Sequence, residues 1–285
     1  MIAETLGVFA GGYALLMGGL AVFQRDMIYH PDPILPEPDQ VGVPDMVPVP
    51  VRTSDGLVMT GWYAPPRQAG RATIVYCHGN ARNLAQRAYK ARRLLDAGYG
   101  VFLVGYRGYG GNPGRPSESG LYADARAVVG WLLGRGASPG RLVLYGESLG
   151  TGIATQLASE IEDLRGVVLE SPFTSMHDLF PNYLSLGLTP SLIQDRYDSL
   201  SKVPTLRTRL LIVHGEDDGV VPVAMGRRLL QAAGTDAEGV FLPGAGHTNL
   251  WENGGAEAVL HFLARIHGLA EDEKEEGAEE SPERA

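Results

Sequence analysis

The sequence lacks the features that define several classes of protein. Its 285 residues include one cysteine, Cys77, which excludes an internal disulfide framework and any cysteine-rich metal module. Basic residues number 24 against 33 acidic ones, and the resulting net charge of -9 disfavours a nucleic-acid partner. With 44% apolar and 20% charged residues, the composition is that of a folded globular protein rather than a disordered or collagen-like chain.

One long uncharged stretch occurs near the N-terminus. Residues Thr5 to Gln24 (TLGVFAGGYALLMGGLAVFQ) carry no charged side chain, and a helix of this length would rise about 30 Å, the thickness of a hydrocarbon core. The stretch predicts a single membrane helix within an N-terminal anchor over residues 1–29, and hence a membrane location. A cleaved signal peptide and a buried core helix are the alternatives. Arg25 beside Asp26 leaves the side of the membrane open.

Two further segments are expected to lie outside the folded body. Residues 30–50 (HPDPILPEPDQVGVPDMVPVP) are rich in proline, which predicts an extended linker or strap rather than a helix. Residues 269–285 include the strongly acidic run EDEKEEGAEESPERA, which predicts a disordered tail. The intervening residues 51–268 have a length that suits one large domain.

The region 51–268 alternates between strand-like and helix-like patterns. Apolar runs predict seven strands, at Leu57–Ala64, Ala72–Cys77, Gly100–Val104, Arg141–Tyr145, Gly166–Leu169, Arg209–Val213 and Gly239–Leu242. Apolar residues three and four apart predict five helices, at Asn83–Ala97, Ser117–Leu133, Ser148–Ile161, Val223–Ala233 and Glu252–Ile266. This alternation predicts an α/β fold, with a mainly parallel sheet covered by helices on both faces and a site at the C-terminal ends of its strands.

The motif GESLG, from Gly146 to Gly150, is the strongest indication of chemistry. It follows the strand-like run RLVLY and precedes the helical pattern TGIATQLASEI, which is the context of a G-x-S-x-G nucleophile elbow. In such a turn the flanking glycines leave room for the neighbouring strand and helix, so that Ser148 projects from the backbone. Ser148 is therefore the predicted nucleophile.

A serine nucleophile requires a base and an orienting carboxylate. Both are found later in the chain: RLLIVHGEDDGVVP ends a strand in an acidic turn, and GVFLPGAGHTN ends another strand in a loop that carries His247. The order serine, acid, histidine is the one that accompanies the elbow. Asp218 is the predicted acid, and Asp217 and Glu216 stay open as alternatives because one residue of register decides which carboxylate faces inward.

An oxyanion hole is predicted from the turn CHGNARN after an early strand. The backbone N–H groups of Asn80 and Leu149 are the predicted donors, and Ala81 is the alternative if the turn is shifted by one residue. His78 and His214 each precede a glycine at a strand end, where a buried histidine bonded to backbone is expected rather than a catalyst. The histidines show no zinc-binding spacing, so no metal is expected.

Together these motifs resemble a known superfamily. CHGNARN, YRGYGGNPGRPSESGLYADA, YGESLGTG, ESPFTSM, HGEDDGVVP and PGAGHTN are similar, in order and spacing, to the alpha/beta-hydrolases, in particular to their N-terminally membrane-anchored members near the serine aminopeptidase-like group. The resemblance implies an eight-stranded, mostly parallel sheet, a Ser148, Asp218 and His247 triad, and hydrolysis of an ester, thioester or amide without a cofactor. In the family-like loop YRGYG, Arg107 is expected to hold backbone carbonyls.

Residues 171–204 fall where such folds insert a lid. The segment contains apolar side chains that either cover an acyl or lipid-like group or pack on the core: Phe173, Phe180, Tyr183, Leu184, Leu186, Leu188 and Leu192. The sequence thus predicts a serine hydrolase that cleaves a carboxylic ester or thioester, with a small-molecule or lipid-like substrate. A serine peptidase or amidase is the first alternative, and a non-catalytic membrane-bound partner protein is the second. The natural substrate and the oligomeric state stay open.

Overall fold

The computed structural model describes residues 11–13, 15, 18–19, 23–68, 70–179, 193–234 and 236–279. Within them, one sheet has eight strands: β1 (Val47–Arg52), β2 (Val58–Ala64), β3 (Thr73–Cys77), β4 (Gly100–Leu103), β5 (Leu142–Glu147), β6 (Gly166–Glu170), β7 (Leu210–Gly215) and β8 (Ala237–Leu242). Their order across the sheet is β1-β2-β4-β3-β5-β6-β7-β8. The seven strand predictions are confirmed, with ends that differ by up to two residues.

The sheet is parallel except around β2. Strand β2 pairs antiparallel with β1 and with β4, whereas β4, β3, β5, β6, β7 and β8 form parallel neighbours in that order. The mostly parallel eight-stranded sheet is therefore confirmed. Because β3, β5, β6, β7 and β8 run in one direction, the loops that follow them meet at the same edge of the sheet. The three segments that carry the predicted nucleophile, acid and histidine all begin at this edge.

Helices cover both faces of the sheet. They are α1 (Ala88–Asp96), α2 (Glu118–Leu133), α3 (Leu149–Ala158), α4 (Val223–Ala232) and α5 (Ala256–Glu279). Successive strand residues point to opposite faces, so that Val75 and Ile74 belong to different cores. One core joins Val75 to side chains of α2, α3 and α4, and the other joins Ile74 to those of α1 and α5. The helices expected on both faces are thus confirmed.

The extended linker predicted at residues 30–50 is wrong at two places, because Pro38–Val41 form a short 3₁₀ helix and β1 begins at Val47. Val49 and Val51 are buried, whereas the alternating Pro48 and Pro50 are exposed. Proline has no N–H to donate, which confines it to the edge strands of a sheet, and β1 is such an edge. The prolines that argued against regular structure are therefore compatible with a strand at this one position.

The two predicted terminal segments lie only partly within the described residues. None of the helices that the described residues form combines the length and the apolar character needed to cross a bilayer. Most of the stretch 5–24, on which the membrane-helix prediction rests, lies outside those residues. At the other end the backbone is helical to Glu279, whereas a disordered tail was predicted from residue 269. Alanine, glutamate and lysine favour helices, and extending a helix requires no new nucleus.

The segment predicted as a lid is described at its two ends. A single helical turn, Met176–Leu179, and a short 3₁₀ turn, Val203–Thr205, belong to the described ends, and residues 180–192 lie outside the described residues. Phe173 is buried in the core. The other apolar side chains named for the lid all lie outside the described residues: Phe180, Tyr183, Leu184, Leu186, Leu188 and Leu192.

Candidate active site

The turn between β5 and α3 places Ser148 in a strained backbone conformation. Its φ of 50° and ψ of -117° are unfavourable for a residue with a side chain. A Cβ atom on Gly150 would lie 1.9 Å from the Cys77 carbonyl oxygen, and one on Gly146 would lie 2.5 Å from the Gly150 oxygen. Only glycine fits at both flanks. The Ser148 N–H donates to the Glu170 carbonyl at 2.9 Å, which ties the turn to β6.

The structure brings together the side chains of Ser148, His247 and Asp218. The His247 Nδ1 atom lies 2.7 Å from Asp218 Oδ2, and its Nε2 atom lies 3.1 Å from the Ser148 hydroxyl oxygen. A carboxylate only accepts, so Nδ1–H donates to Asp218 and leaves Nε2 to accept from the serine hydroxyl. This arrangement can remove the hydroxyl proton as the oxygen attacks.

The turn after β7 selects Asp218 among the three neighbouring carboxylates. Asp218 is buried, whereas Asp217 and Glu216 are exposed. The second Asp218 oxygen, Oδ1, accepts from the N–H groups of Val220 and Val221 at 2.8 Å each. These bonds hold the carboxylate so that its other oxygen, Oδ2, faces His247.

The surroundings of Asp218 keep it ionised. Burial alone would raise its pKa, but the contacts with His214 and His247 and the Val221 N–H outweigh burial and hold the pKa well below its usual value. His214 Nε2 lies 3.4 Å from Asp218 Oδ2, while its N–H donates to the Val221 carbonyl at 2.9 Å. An ionised carboxylate at this point would stabilise an imidazolium formed on His247.

His78 and His214, which are buried, bond to backbone, as the sequence predicts. His214 donates to the Val221 carbonyl, and His78 Nδ1–H donates to the Gly79 carbonyl at 2.8 Å. Burial, together with the charge of Arg87, lowers the pKa of His78 to about 3. His78 is therefore neutral and structural. Among the described residues there is also no group of three or more histidine, cysteine or acidic side chains that could hold a metal ion.

An apolar pocket opens beside the Ser148 hydroxyl. Its described lining consists of Ile28, Asn80, Ser148, Leu149, Phe173, Met176, Leu179, Val220 and Val221. Both predicted oxyanion donors are part of this lining, whereas the alternative donor Ala81 pairs with His30 in a short parallel bridge. The Leu149 N–H is the first of α3, where helix N–H groups lack partners within the helix. Residues of both predicted donor segments therefore lie beside Ser148.

A buried network of ion pairs lies next to the turn that carries Ser148. Lys90 Nζ lies 3.2 Å from a Glu147 carboxylate oxygen and 2.7 Å from one of Glu170. Arg87 binds Glu147 through two nitrogens, at 3.0 and 2.5 Å. Burial alone would lower the pKa of Lys90, but the two carboxylates raise it above its usual value. Glu147 precedes Ser148, and the Ser148 N–H donates to the Glu170 carbonyl, so the network joins the ends of β5 and β6 next to the turn.

Sequence reasoning missed this network. Lys90 lies on the buried side of α1, and the two glutamates end adjacent strands. The signal that could have found it is a lysine within an amphipathic helix pattern at a position otherwise occupied by apolar residues.

The prediction that Arg107 holds backbone carbonyls is wrong. Its guanidinium instead bonds two carboxylates, those of Asp124 at 2.8 Å and of Asp55 at 2.7 Å. Asp124 has a fully buried side chain, and a buried carboxylate requires a charged partner. Arg107 thereby connects α2 to the turn between β1 and β2, away from the pocket lining.

Comparisons with known proteins agree with this architecture. The family model described as Serine aminopeptidase, S33 matches residues 68–193. An uncharacterized protein of Mycobacterium tuberculosis is 38% identical over 83% of this chain and 86% of its own. The lysophosphatidylserine lipase ABHD12 of Danio rerio is 34% identical over 60% of this chain, which spans half the length of that relative.

Among solved structures, the esterase Pf2001 of Pyrococcus furiosus superposes with a TM-score of 0.66 at 19% identity. The match covers 85% of this chain and 98% of the esterase. At this identity the likeness concerns the fold alone. The chain belongs to the alpha/beta-hydrolase superfamily.

Proposed function

We propose that the protein is a serine hydrolase that cleaves a carboxylic ester or thioester of an acyl or lipid-like substrate. The observation that carries this proposal is the hydrogen-bonded chain from Ser148 through His247 to Asp218, beside an apolar pocket. A serine hydroxyl is a weak nucleophile until a base within hydrogen-bond reach takes its proton. The spacing of the three side chains supplies that base and its orienting carboxylate.

The proposed reaction has two steps. Ser148 attacks the substrate carbonyl while His247 takes its proton, and the N–H groups of Asn80 and Leu149 receive the developing oxyanion. His247 then gives the proton to the departing alcohol or thiol. Water hydrolyses the acyl-serine in the second step, with His247 again acting as the base. Asp218 stays ionised throughout and stabilises the histidine cation.

The lining of the pocket favours an acyl group over a free amino terminus. An aminopeptidase has to bind a positively charged amine, which carboxylates do best. Among the lining residues that the structure describes, none has a charged side chain. The zebrafish relative is named a lipase, which agrees with an acyl ester. Because the matching family model is named for an aminopeptidase, a serine peptidase is the second candidate.

Attachment to a membrane through residues 5–24 is part of the same proposal. Four apolar side chains of the described N-terminal residues are exposed, namely Tyr13, Leu15, Phe23 and Met27. A helix that crosses or lies in a membrane exposes apolar side chains of this kind to lipid. After cell lysis we expect the full-length chain to sediment with membranes and to stay there in alkaline carbonate. Release into the supernatant would overturn this attachment.

A fluorophosphonate probe tests the proposed nucleophile. We expect the purified protein to be labelled and Ser148→Ala not to be labelled, because only an activated serine reacts with the probe. Labelling of both proteins would reject Ser148 as the nucleophile, whereas labelling of neither would favour the non-catalytic alternative. A series of p-nitrophenyl esters of rising chain length, compared with aminoacyl p-nitroanilides, then separates the two hydrolase candidates. Faster cleavage of the anilides would favour the peptidase.

A further inference from the structure

A segment outside the sheet and its covering helices reaches the candidate active site. We name residues 23–31 the clasp. Its residues 23–28 are helical, and His30 and Pro31 pair in parallel with Ala81 and Arg82, immediately after Asn80. The clasp therefore lies against the loop that carries one of the two predicted oxyanion donors.

The clasp holds Asn80 on two sides. The Asn80 side-chain amide, through Nδ2, donates to the Ile28 carbonyl at 2.8 Å, and the His30 N–H donates to the Asn80 carbonyl at 3.0 Å. The Tyr109 hydroxyl donates to the same carbonyl at 2.7 Å. These bonds hold the Asn80 side chain and carbonyl, and with them the Cα from which its N–H projects. A Cβ on the preceding Gly79 would lie 3.5 Å from the Ser148 Cβ, so this loop passes directly beside the nucleophile.

The clasp is itself fixed to the body of the domain. Arg25 binds the buried Asp195 through Nε at 2.9 Å and Nη2 at 3.2 Å. The Tyr29 hydroxyl donates to the same carboxylate at 3.0 Å and lies 2.8 Å from the Tyr197 hydroxyl. Tyr29 and Tyr197 are buried, so their hydroxyl groups form hydrogen bonds within the protein in place of bonds to water. These contacts with Asp195 and Tyr197 keep the clasp in one position against the Asn80 loop.

The clasp also forms part of the pocket wall, because Ile28 is among the lining residues. The residue whose carbonyl binds Asn80 thus has its side chain beside the substrate space. We propose that the clasp is a positioning element of the oxyanion hole. Through the Ile28 carbonyl and the His30 N–H it aims the Asn80 N–H at the developing oxyanion. This inference rests on the proposed hydrolase function.

Two substitutions at one position test the inference in the full-length protein. His30→Pro removes the N–H that binds Asn80, whereas His30→Ala keeps that N–H and removes only the exposed side chain. With p-nitrophenyl butyrate we expect kcat of His30→Pro to be about 10-fold to 100-fold below that of His30→Ala, with KM within about threefold, because the donor acts on the transition state. A trifluoromethyl ketone, which forms a tetrahedral adduct with serine, should bind His30→Pro more weakly by a similar factor.

A second pair of variants covers the case in which His30→Pro does not fold. Asn80→Ala removes the side-chain bond to the Ile28 carbonyl but keeps the backbone N–H at position 80. Asn83→Ala, the control, removes a similar side-chain bond from the same loop to the Ile34 carbonyl. We expect kcat of Asn80→Ala to be the lower of the two by about tenfold, even where Asn83→Ala has the lower melting temperature.

Equal kcat values within each pair would overturn the positioning role of the clasp and leave the proposed hydrolase in place. If the unaltered protein neither hydrolyses the ester nor reacts with a fluorophosphonate, the hydrolase proposal itself fails, and the oxyanion role of the clasp fails with it. A drop in melting temperature without a change in kcat would indicate a purely structural clasp and would likewise overturn the inference.

Discussion

At the scale of single residues, Asp218 acts on Ser148 only through His247. Replacing it with asparagine keeps the shape of the side chain but favours the histidine tautomer that cannot accept the serine proton. We expect Asp218→Asn to lower kcat about 10⁴-fold without a comparable loss of folding stability. Ester hydrolysis measured beside urea unfolding would separate the two effects.

The neighbouring Asp217 provides the matched control for this substitution, because its side chain is exposed and lies one residue away. We expect Asp217→Asn to change kcat by no more than about twofold, as for most surface substitutions. A larger loss of activity in Asp217→Asn than in Asp218→Asn would show that the turn presents the other carboxylate to His247.

The buried His78 makes stability depend on pH. Burial lowers its pKa to about 3, whereas an imidazole in the unfolded chain has a pKa of about 6.5. Between these values the unfolded state binds more protons, so stability is lost as the pH falls below the unfolded value. His78→Asn keeps a donor for the Gly79 carbonyl and does not titrate. From about pH 7 to about pH 5, the unaltered protein should lose about 2 kcal/mol more than this variant.

Urea unfolding at the two pH values measures this difference. The comparison between the two proteins removes the contribution of the other acidic and basic groups, which both share. Equal losses of stability in the unaltered protein and in His78→Asn would contradict a neutral, buried His78.

At the scale of elements, two helix glycines should respond in opposite ways to alanine. Gly150 lies in the first turn of α3, where an added Cβ would overlap the Cys77 carbonyl. We expect Gly150→Ala to lower stability by about 3 kcal/mol and to abolish ester hydrolysis, because α3 has to move away from β3. Gly130, inside α2, has no atom within 4 Å of an added Cβ. Gly130→Ala should raise stability by about 0.5–1 kcal/mol.

Thermal and urea unfolding of the two variants provide the measurement, and circular dichroism checks that both fold. Full ester hydrolysis by Gly150→Ala would mean that the elbow tolerates a side chain beside β3. The tight glycine contacts on which the nucleophile assignment partly rests would then be wrong.

The elements themselves were largely predictable. Strands buried on both faces are short, continuous apolar runs, so the seven strands from β2 to β8 are visible in the sequence. Strand β1 was missed because Pro48 and Pro50 argue against a strand unless its place at the edge of the sheet is known. The nucleophile elbow was visible because its glycines, its strand and its helix are adjacent in sequence.

At the scale of the whole molecule, contacts between distant segments were not predictable from local patterns. Arg107 was expected to bind backbone, and its carboxylate partner Asp55 lies 52 residues away. Arg25 and Asp195 are separated by 170 residues, and nothing in the periodicity around either one indicates the other. Periodicity reports which face of an element is buried, whereas a buried ion pair depends on which two elements meet. The same limit hid the Lys90 network and the clasp.

The bond between the clasp and the body of the domain leads to a prediction about local stability. Asp195 accepts from Arg25, from Tyr29 and from the Glu118 N–H at the start of α2. Hydrogen bonds to a charged group are the stronger ones, so their loss should release the clasp before the sheet opens. In Asp195→Asn we expect amide hydrogens of residues 23–31 to exchange at least about tenfold faster, with β5 unchanged. Hydrogen exchange with mass spectrometry measures both regions in one sample, and equal acceleration in β5 would show that Asp195 supports the whole domain instead of the clasp.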